Sequence, residues 1–86
     1  MERVNKKVTV HLDEKQTITE LSQIVQRYDS EIILKKDVQG SWYEVNLKSF
    51  LGLINLRLQN GDTLLVECVG QDAEAAFKEI EDFFSE

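Results

Sequence analysis

The sequence contains no proline, and it has only one cysteine and one histidine among its 86 residues. The single cysteine, Cys68, excludes an internal disulfide framework and a zinc site built from several cysteines. No stretch approaches the roughly 18 to 20 apolar residues of a membrane span, and the first residues lead into no apolar core of a signal peptide. We therefore expect a cytoplasmic protein that does not insert into a membrane.

An excess of basic residues is also missing. The formal net charge is −6 at pH 7, with residues 1–36 summing to +1 and residues 37–86 to −7. Nucleic-acid binding needs clustered Lys and Arg, so this class of partner is excluded. Hydrophobic residues make up 42% of the chain and charged residues 30%, which is typical of a folded protein. The length suits a single domain over residues 1–86.

Hydrophobic periodicity predicts both strands and helices. Alternation of apolar and polar residues predicts four strands, at residues 6–12, 31–36, 42–47 and 64–69. Thr17, with Glu20 three residues later, forms a capping-box pattern and predicts a helix that ends near residues 28–29. Ser49 can cap a short second helix, and Asp72 can cap a last helix with a continuous apolar stripe.

The order of these elements is β-α-β-β-α-β-α. A right-handed crossover makes the first two strands parallel, and the fourth strand fits antiparallel between them. The expected fold is therefore an α+β, open-faced two-layer β-sandwich whose four-stranded sheet has the order 1-4-2-3, with helices covering one face.

Three segments carry a resemblance to a known family. They are residues 28–31 (Tyr-Asp-Ser-Glu), residues 45–52 (Val-Asn-Leu-Lys-Ser-Phe-Leu-Gly) and residues 60–62 (Asn-Gly-Asp). With these segments in this element order, the chain resembles the histidine-containing phosphocarrier (HPr) family of the bacterial sugar phosphotransferase system over nearly its whole length. The resemblance implies the same fold and a cytoplasmic protein that binds other proteins of that system.

The chain departs from the family at the phosphoryl site. A His-Ala-Arg-Pro segment opens the first helix in the family, and its His carries the phosphoryl group; the matching residues here are Glu14, Lys15, Gln16 and Thr17. An imidazole nitrogen is a neutral nucleophile near pH 7, whereas Glu14 can form only a mixed anhydride and its charge repels a phosphate donor. We therefore predict no phosphoryl-carrier activity, no catalytic residue, and no cofactor or metal site.

His11, the only histidine, is interpreted as an exposed residue of the first strand. Its phase places it with Lys7 and Thr9, several residues before the helix whose N-terminus would stabilise a phosphoryl group. It is not assigned as a site.

Ser49 lies at the start of the predicted second helix. In Gram-positive members of the family, the serine at this position is a regulatory phosphorylation site, and its phosphorylated form binds a transcription factor of catabolite control. A phosphate at a helix N-terminus is stabilised by free N–H groups and by the helix dipole. Serine is equally a preferred N-cap residue without any kinase. Both interpretations stay open.

The resemblance also implies a surface for docking a partner protein. Phe50, Leu51 and Ile54 match the apolar part of the family's docking surface, and Lys15, Gln16 and Lys48 supply polar neighbours. The alternative is that Leu53 and Leu56 pack inward while Phe50 is only covered by a neighbouring side chain.

These observations lead to one main hypothesis and two alternatives. The main hypothesis is a non-catalytic HPr-like protein that binds a protein of sugar uptake or carbon regulation. The first alternative is an active phosphocarrier that uses an unconventional acceptor, His11 or Glu14. The second is a structural or assembly module, because a fold does not determine a function.

Overall fold

A computed structural model of the protein describes residues 2–13, 15–49, 52 and 58–85. It contains six elements in chain order: β1 (Glu2–Thr9), α1 (Ile18–Gln26), β2 (Glu31–Val38), β3 (Ser41–Asn46), β4 (Thr63–Gly70) and α2 (Ala73–Phe84). The short helix predicted after Ser49 falls mostly on residues 50, 51 and 53–57, which lie outside the described residues.

The strands form one sheet in the order β1-β4-β2-β3. β4 pairs antiparallel with β1 on one side and with β2 on the other, and β3 pairs antiparallel with β2. Because β1 and β2 both run opposite to β4, they run parallel to each other. The α+β fold and the predicted sheet order are confirmed.

Both helices pack against one face of this sheet. α1 contributes Leu21, Ile24 and Val25 to the core. The inward side chains of β4 meet them from the sheet, and Cys68 is among these fully buried residues, as its phase predicts. Burial in this apolar layer raises the pKa of the Cys68 thiol to about 11. Within the described residues, neither helix is long and apolar enough to cross a membrane.

β1 begins four residues earlier than predicted and ends three residues earlier. After Thr9 the chain leaves the ladder: the N–H of Val10 donates to the Asp62 carbonyl at 2.8 Å, and that of His11 to the Phe84 carbonyl at 2.6 Å. Val10 is nevertheless fully buried. The alternation of burial therefore continues beyond the strand, which explains why the pattern predicts too late an end.

The predicted capping role of the Asp72 side chain is wrong. Asp72 does precede α2, but its carboxylate makes no capping bond to that helix. It accepts hydrogen bonds from the N–H groups of Asp29 and Ser30, both at 2.9 Å, and from the Ser30 hydroxyl. The Ser30 hydroxyl bond and these N–H bonds lower the pKa of Asp72. This clamp fixes the loop after α1 to the start of α2.

Candidate functional site

An open cleft of about 410 Å³ lies where the start of α1 meets α2. Ile24 and Phe83, both more than nine-tenths buried, provide its apolar part. The other lining residues are polar or charged: Asp13, Lys15, Gln16, Glu20, Glu79 and Asp82. Because most pockets for small apolar ligands are lined mainly by apolar side chains, this lining favours a polar or charged partner.

The loop before α1 is held by its own hydrogen bonds. The Gln16 side-chain oxygen accepts from the Asp13 N–H at 2.6 Å, and the Asp13 carboxylate accepts from the Lys15 N–H at 3.1 Å. The Thr17 hydroxyl then caps the helix by accepting from the Glu20 N–H at 3.0 Å. This last bond is one half of the predicted capping box.

Gln16 also ties this loop to the other wall of the cleft. Its side-chain amide donates to the Phe83 carbonyl at 2.6 Å, near the end of α2. A carbonyl in the last turn of a helix has no partner within the helix, so this bond satisfies it. Gln16 is thus engaged on both sides and acts as a structural bridge across the cleft.

The cleft is electronegative. Four of its lining residues carry carboxylates, and Lys15 is the one cation among them. Glu79 accepts a hydrogen bond from the Tyr28 hydroxyl at 2.7 Å and forms an ion pair with Arg27 at 3.5 Å. The hydrogen bond to Glu79 is the main cause that raises the pKa of Tyr28, and burial raises this pKa further. An anionic ligand would therefore meet like charge in this cleft.

His11 lies beyond the end of β1, beside the end of α2. Its side chain is exposed, its N–H donates to the Phe84 carbonyl, and it forms an isolated bridge with Ser85. The prediction that it belongs to the first strand is wrong, whereas its predicted exposure is confirmed. His11 is not among the residues that line the cleft.

Ser49 follows a tight turn after β3. Its N–H donates to the Asn46 carbonyl at 2.9 Å, and the Asn46 side chain accepts from the Lys48 N–H at 3.0 Å. The exposed Ser49 accepts at its hydroxyl oxygen from the Gly52 N–H at 3.4 Å. This spacing of three residues is that of an N-cap.

The described residues of the predicted docking surface lie at two ends of α1. Lys15 and Gln16 precede the helix, whereas the Lys48 carbonyl accepts a hydrogen bond from Gln26 at the last turn, at 3.4 Å. A nine-residue helix separates these ends by about 12 Å. The apolar residues of the predicted surface, Phe50, Leu51 and Ile54, lie outside the described residues.

Comparison with known proteins decides the family. A family model described as the PTS HPr component phosphorylation site matches residues 4–86. The chain belongs to the HPr family. A crystal structure of the phosphocarrier protein HPr from Bacillus anthracis is similar to it at a TM-score of 0.82 and 28% identity, covering 95% of this chain and 96% of that one.

Two other HPr structures share the fold. HPr-C-His from Thermoanaerobacter tengcongensis has a TM-score of 0.72 and 21% identity, covering 99% of this chain and 92% of that one. The histidine-containing phosphocarrier protein of Mycoplasma has a TM-score of 0.75 and 17% identity, covering 93% and 90% of the two chains. Proteins of the HPr family interact with other proteins of the phosphotransferase system.

Lys15, Gln16 and Thr17, which the resemblance matches to the end of the family's phosphoryl segment, lead into α1 beside the acidic cleft. Lys15 and Gln16, two of the predicted docking residues, line the cleft, and their docking role stays a prediction. Glu20, Glu79 and Asp82 were not identified from the sequence. Helical periodicity places Glu79 and Asp82 on one side of the last helix, but only the packing of α2 against the start of α1 brings them to this site.

Metal binding finds no support in the part of the chain that the structure describes. No three side chains of the metal-ligating types lie close enough together there to hold an ion.

Proposed function

We propose that this HPr-family protein is a non-catalytic, cytoplasmic regulator that carries no phosphoryl group and binds a protein of sugar uptake or carbon regulation. The observation that carries the proposal is the acidic cleft beside residues 14–17. It lies where the family's acceptor segment opens α1, and it presents four carboxylates against one lysine.

Charge is the first support for the loss of carrier activity. A phosphoryl group brings about two negative charges, which a carrier site must compensate. In this cleft, Asp82 and Glu20 are exposed acidic neighbours, and the Arg of the family segment is replaced by Gln16. Gln16 adds no positive charge, and its amide already donates to the Phe83 carbonyl.

The second support is the absence of a suitable nucleophile. Glu14 stands in the position of the family's His, and a carboxylate there offers only an anhydride-forming acceptor. The sole imidazole belongs to His11, which lies beside Ser85 and outside the cleft lining. Neither residue reproduces a neutral ring nitrogen at the mouth of α1.

The binding role is supported by what the chain retains. The sheet order and the capped α1 follow the family fold, and Lys15 and Lys48 remain exposed at the two ends of α1. Exposed cations at these positions are available to a partner protein without any phosphoryl chemistry.

The carrier question is tested with phosphoenolpyruvate and the first enzyme of the phosphotransferase system. The native chain is compared with a variant that restores the family segment: Glu14→His, Lys15→Ala, Gln16→Arg and Thr17→Pro. Intact-mass spectrometry under neutral conditions detects an acid-labile phosphoryl group, and circular dichroism verifies that both chains are folded. We expect no phosphorylation of the native chain and phosphorylation of the restored variant.

Each other outcome overturns a defined part of the proposal. Phosphorylation of the native chain would show an active carrier, and His11→Ala and Glu14→Ala would then identify the unconventional acceptor. A folded restored variant that accepts no phosphoryl group would show that docking to the first enzyme is lost. The partner would then lie outside the phosphotransferase system.

The binding role is tested by affinity capture from the native cell. We expect recovery of proteins of sugar uptake or carbon regulation with the native chain, and reduced recovery with Lys15→Glu and Lys48→Glu. Lys78→Glu, an exposed position on α2, is the matched control for the change in charge. Equal loss with all three variants, or recovery of unrelated proteins only, would contradict the assignment.

Ser49 is proposed as a regulatory phosphorylation site of the same protein. Ser49 is exposed, and its hydroxyl oxygen accepts from the Gly52 N–H three residues later, which is the spacing of an N-cap. Incubation with ATP and the cognate kinase should add one phosphate to the native chain and none to Ser49→Ala, with Ser41→Ala as the control. Absence of phosphate on Ser49, together with unchanged partner binding by Ser49→Ala, would leave only the structural capping role.

A further inference from the structure

The two edges of the sheet differ in how they are protected. β1, at one edge, carries Arg3, Lys6 and Lys7, and positive charge along an edge strand opposes pairing with another copy. β3, at the other edge, has the sequence Ser-Trp-Tyr-Glu-Val-Asn, with Glu44 as its one charged residue. It contains no lysine and no proline, and its composition strongly favours β-structure.

The hairpin geometry shows which backbone groups of β3 face outward. Gln39 and Gly40 have φ values of 52° and 86°, the two-residue turn that makes Val38 and Ser41 a hydrogen-bonded pair. Such pairs alternate along an antiparallel ladder, and the bond from the Leu47 N–H to the Ile32 carbonyl at 2.8 Å agrees with this phase.

The same alternation turns the N–H and C=O groups of Trp42, Glu44 and Asn46 away from β2. The Asn46 carbonyl accepts from the Ser49 N–H. Among the described residues, no strand pairs with the corresponding groups of Trp42 and Glu44, because β3 pairs only with β2. The central part of β3 therefore presents two donors and two acceptors along its outer edge.

Aromatic side chains flank this edge on both faces of the sheet. Trp42 is 59% exposed and Tyr43 is 57% exposed. Successive residues of a strand point to opposite faces, so one ring lies on the open face and the other on the helix-covered face. An added strand would cover apolar surface on both sides.

We propose that β3 pairs with β3 of a second copy of this chain in a symmetric antiparallel dimer, which joins two four-stranded sheets into one of eight strands. Tyr43 lies opposite Tyr43 of the second copy, and Trp42 lies opposite Glu44. Both outward-facing residues of each copy then form hydrogen-bonded pairs, which gives four interstrand bonds. The Tyr43 pair occupies the close, non-hydrogen-bonded position, where aromatic pairs interact favourably.

Charge permits a second copy at this edge and selects the register of the pairing. A register shifted to place Glu44 opposite Glu44 would oppose like charges directly, so the strand sequence favours the register with Tyr43 at the symmetry axis. Residues 35–48 carry three lysines against two carboxylates, although the whole chain has a net charge of −6. Each hairpin thus lacks the negative charge of the rest of the chain, so a second copy meets less repulsion at this edge than it would at an acidic surface. The inference does not depend on the proposed function.

The test uses the full chain over a range of concentrations up to about millimolar, which spans the affinities of weak interfaces. Sedimentation equilibrium is expected to show an increase in mass toward twice 9.9 kDa. Trp42, the only tryptophan, is expected to shift its emission to shorter wavelength over the same range. The amide hydrogens of Trp42 and Glu44 should become protected from exchange only where the dimer forms.

A matched pair of variants isolates the backbone contact. Glu44→Pro removes an outward N–H without removing a bond to β2, and it deletes two of the four interstrand bonds, so dimerisation should weaken by about tenfold or more. Glu44→Ala keeps the N–H and should dimerise like the native chain. A monomer at every concentration would overturn the proposal and leave this edge to a segment of another protein. Equal dimerisation by Glu44→Pro and Glu44→Ala would place the dimer contact elsewhere.

Discussion

Gly70, the last residue of β4, faces the clamp that holds α2 in place. Its φ of +155° is one that side chains rarely adopt, and a Cβ added there would lie 2.7 Å from the Ser30 Cα and 2.9 Å from the Ser30 Cβ. The first of these contacts is with backbone, so no rotation of the Ser30 side chain relieves it. Ser30 is itself buried and bonded to Asp72. We therefore predict that Gly70→Ala is strongly destabilising.

The magnitude follows from two separate costs. Forcing a side chain into an unfavourable backbone conformation costs about 1 to 3 kcal/mol. Overpacking against a fixed neighbour adds about 1 to 3 kcal/mol. The sum is about 2 to 6 kcal/mol, a large part of the roughly 5 to 15 kcal/mol by which such domains are stable. For a chain of this size, the melting temperature should fall by at least about 8 °C.

Thermal and urea unfolding of the two proteins measure this change. Gly61→Ala is the matched control, because Gly61 also has a positive φ, +91°, but an added Cβ there meets nothing within 4 Å. Gly61→Ala has only the cost of the unfavourable backbone conformation. The free energy of unfolding should therefore fall by at least about 1 kcal/mol more in Gly70→Ala than in this control. Equal destabilisation by both substitutions would refute the packing argument and the proposed role of the clamp.

Three further predictions concern single side chains. The pKa of the Cys68 thiol is 9.0 in the unfolded chain and about 11 in the folded protein. The free energy of unfolding should therefore fall as pH rises from about 9 to 11, and Cys68→Ala should lack this decline. Tyr28→Phe should cost about 1 kcal/mol through the lost bond to Glu79, and Arg27→Ala less, because its ion pair is exposed. Gln16→Ala should cost about 1 to 3 kcal/mol in urea unfolding, because it leaves the Phe83 carbonyl unpaired.

A specific result would contradict each of these three predictions. An alkaline decline that persists in Cys68→Ala would exclude the thiol as its cause. A larger loss for Arg27→Ala than for Tyr28→Phe would reverse the assigned order of the two contacts to Glu79. Exposed Gln23 on α1 is the control for Gln16, and equal effects of the two alanine substitutions would argue against the bridge to α2.

The sequence predicts the elements best where one face is buried along a whole strand or helix. β4 and α2 agree with their predicted positions to within one residue at most at each end, because Leu64, Val66 and Cys68 alternate cleanly and the stripe of α2 is continuous. β1 is predicted less well, because its first residues are mostly polar and become part of the strand only by pairing with β4. Pairing of this kind depends on a strand more than 60 residues away and leaves little local signal.

The candidate site is predictable only in part for the same reason. Lys15 and Gln16 are found through the family segment, whereas Glu79 and Asp82 belong to the cleft only because α2 folds back onto the start of α1. The Asp72 side chain shows the limit of local patterns. It occupies a capping position in sequence, but the loop at Asp29 and Ser30 offers three donors and captures the carboxylate.

The central claim is that the family's phosphoryl site has become an acidic cleft without an acceptor. Its most direct test is the intact mass of the native chain after incubation with phosphoenolpyruvate and the first enzyme, with a carrier-competent HPr in the same reaction as the control. The account predicts that the control gains one phosphoryl group while the native chain keeps its mass. A gain of one acid-labile phosphoryl group by the native chain would contradict it.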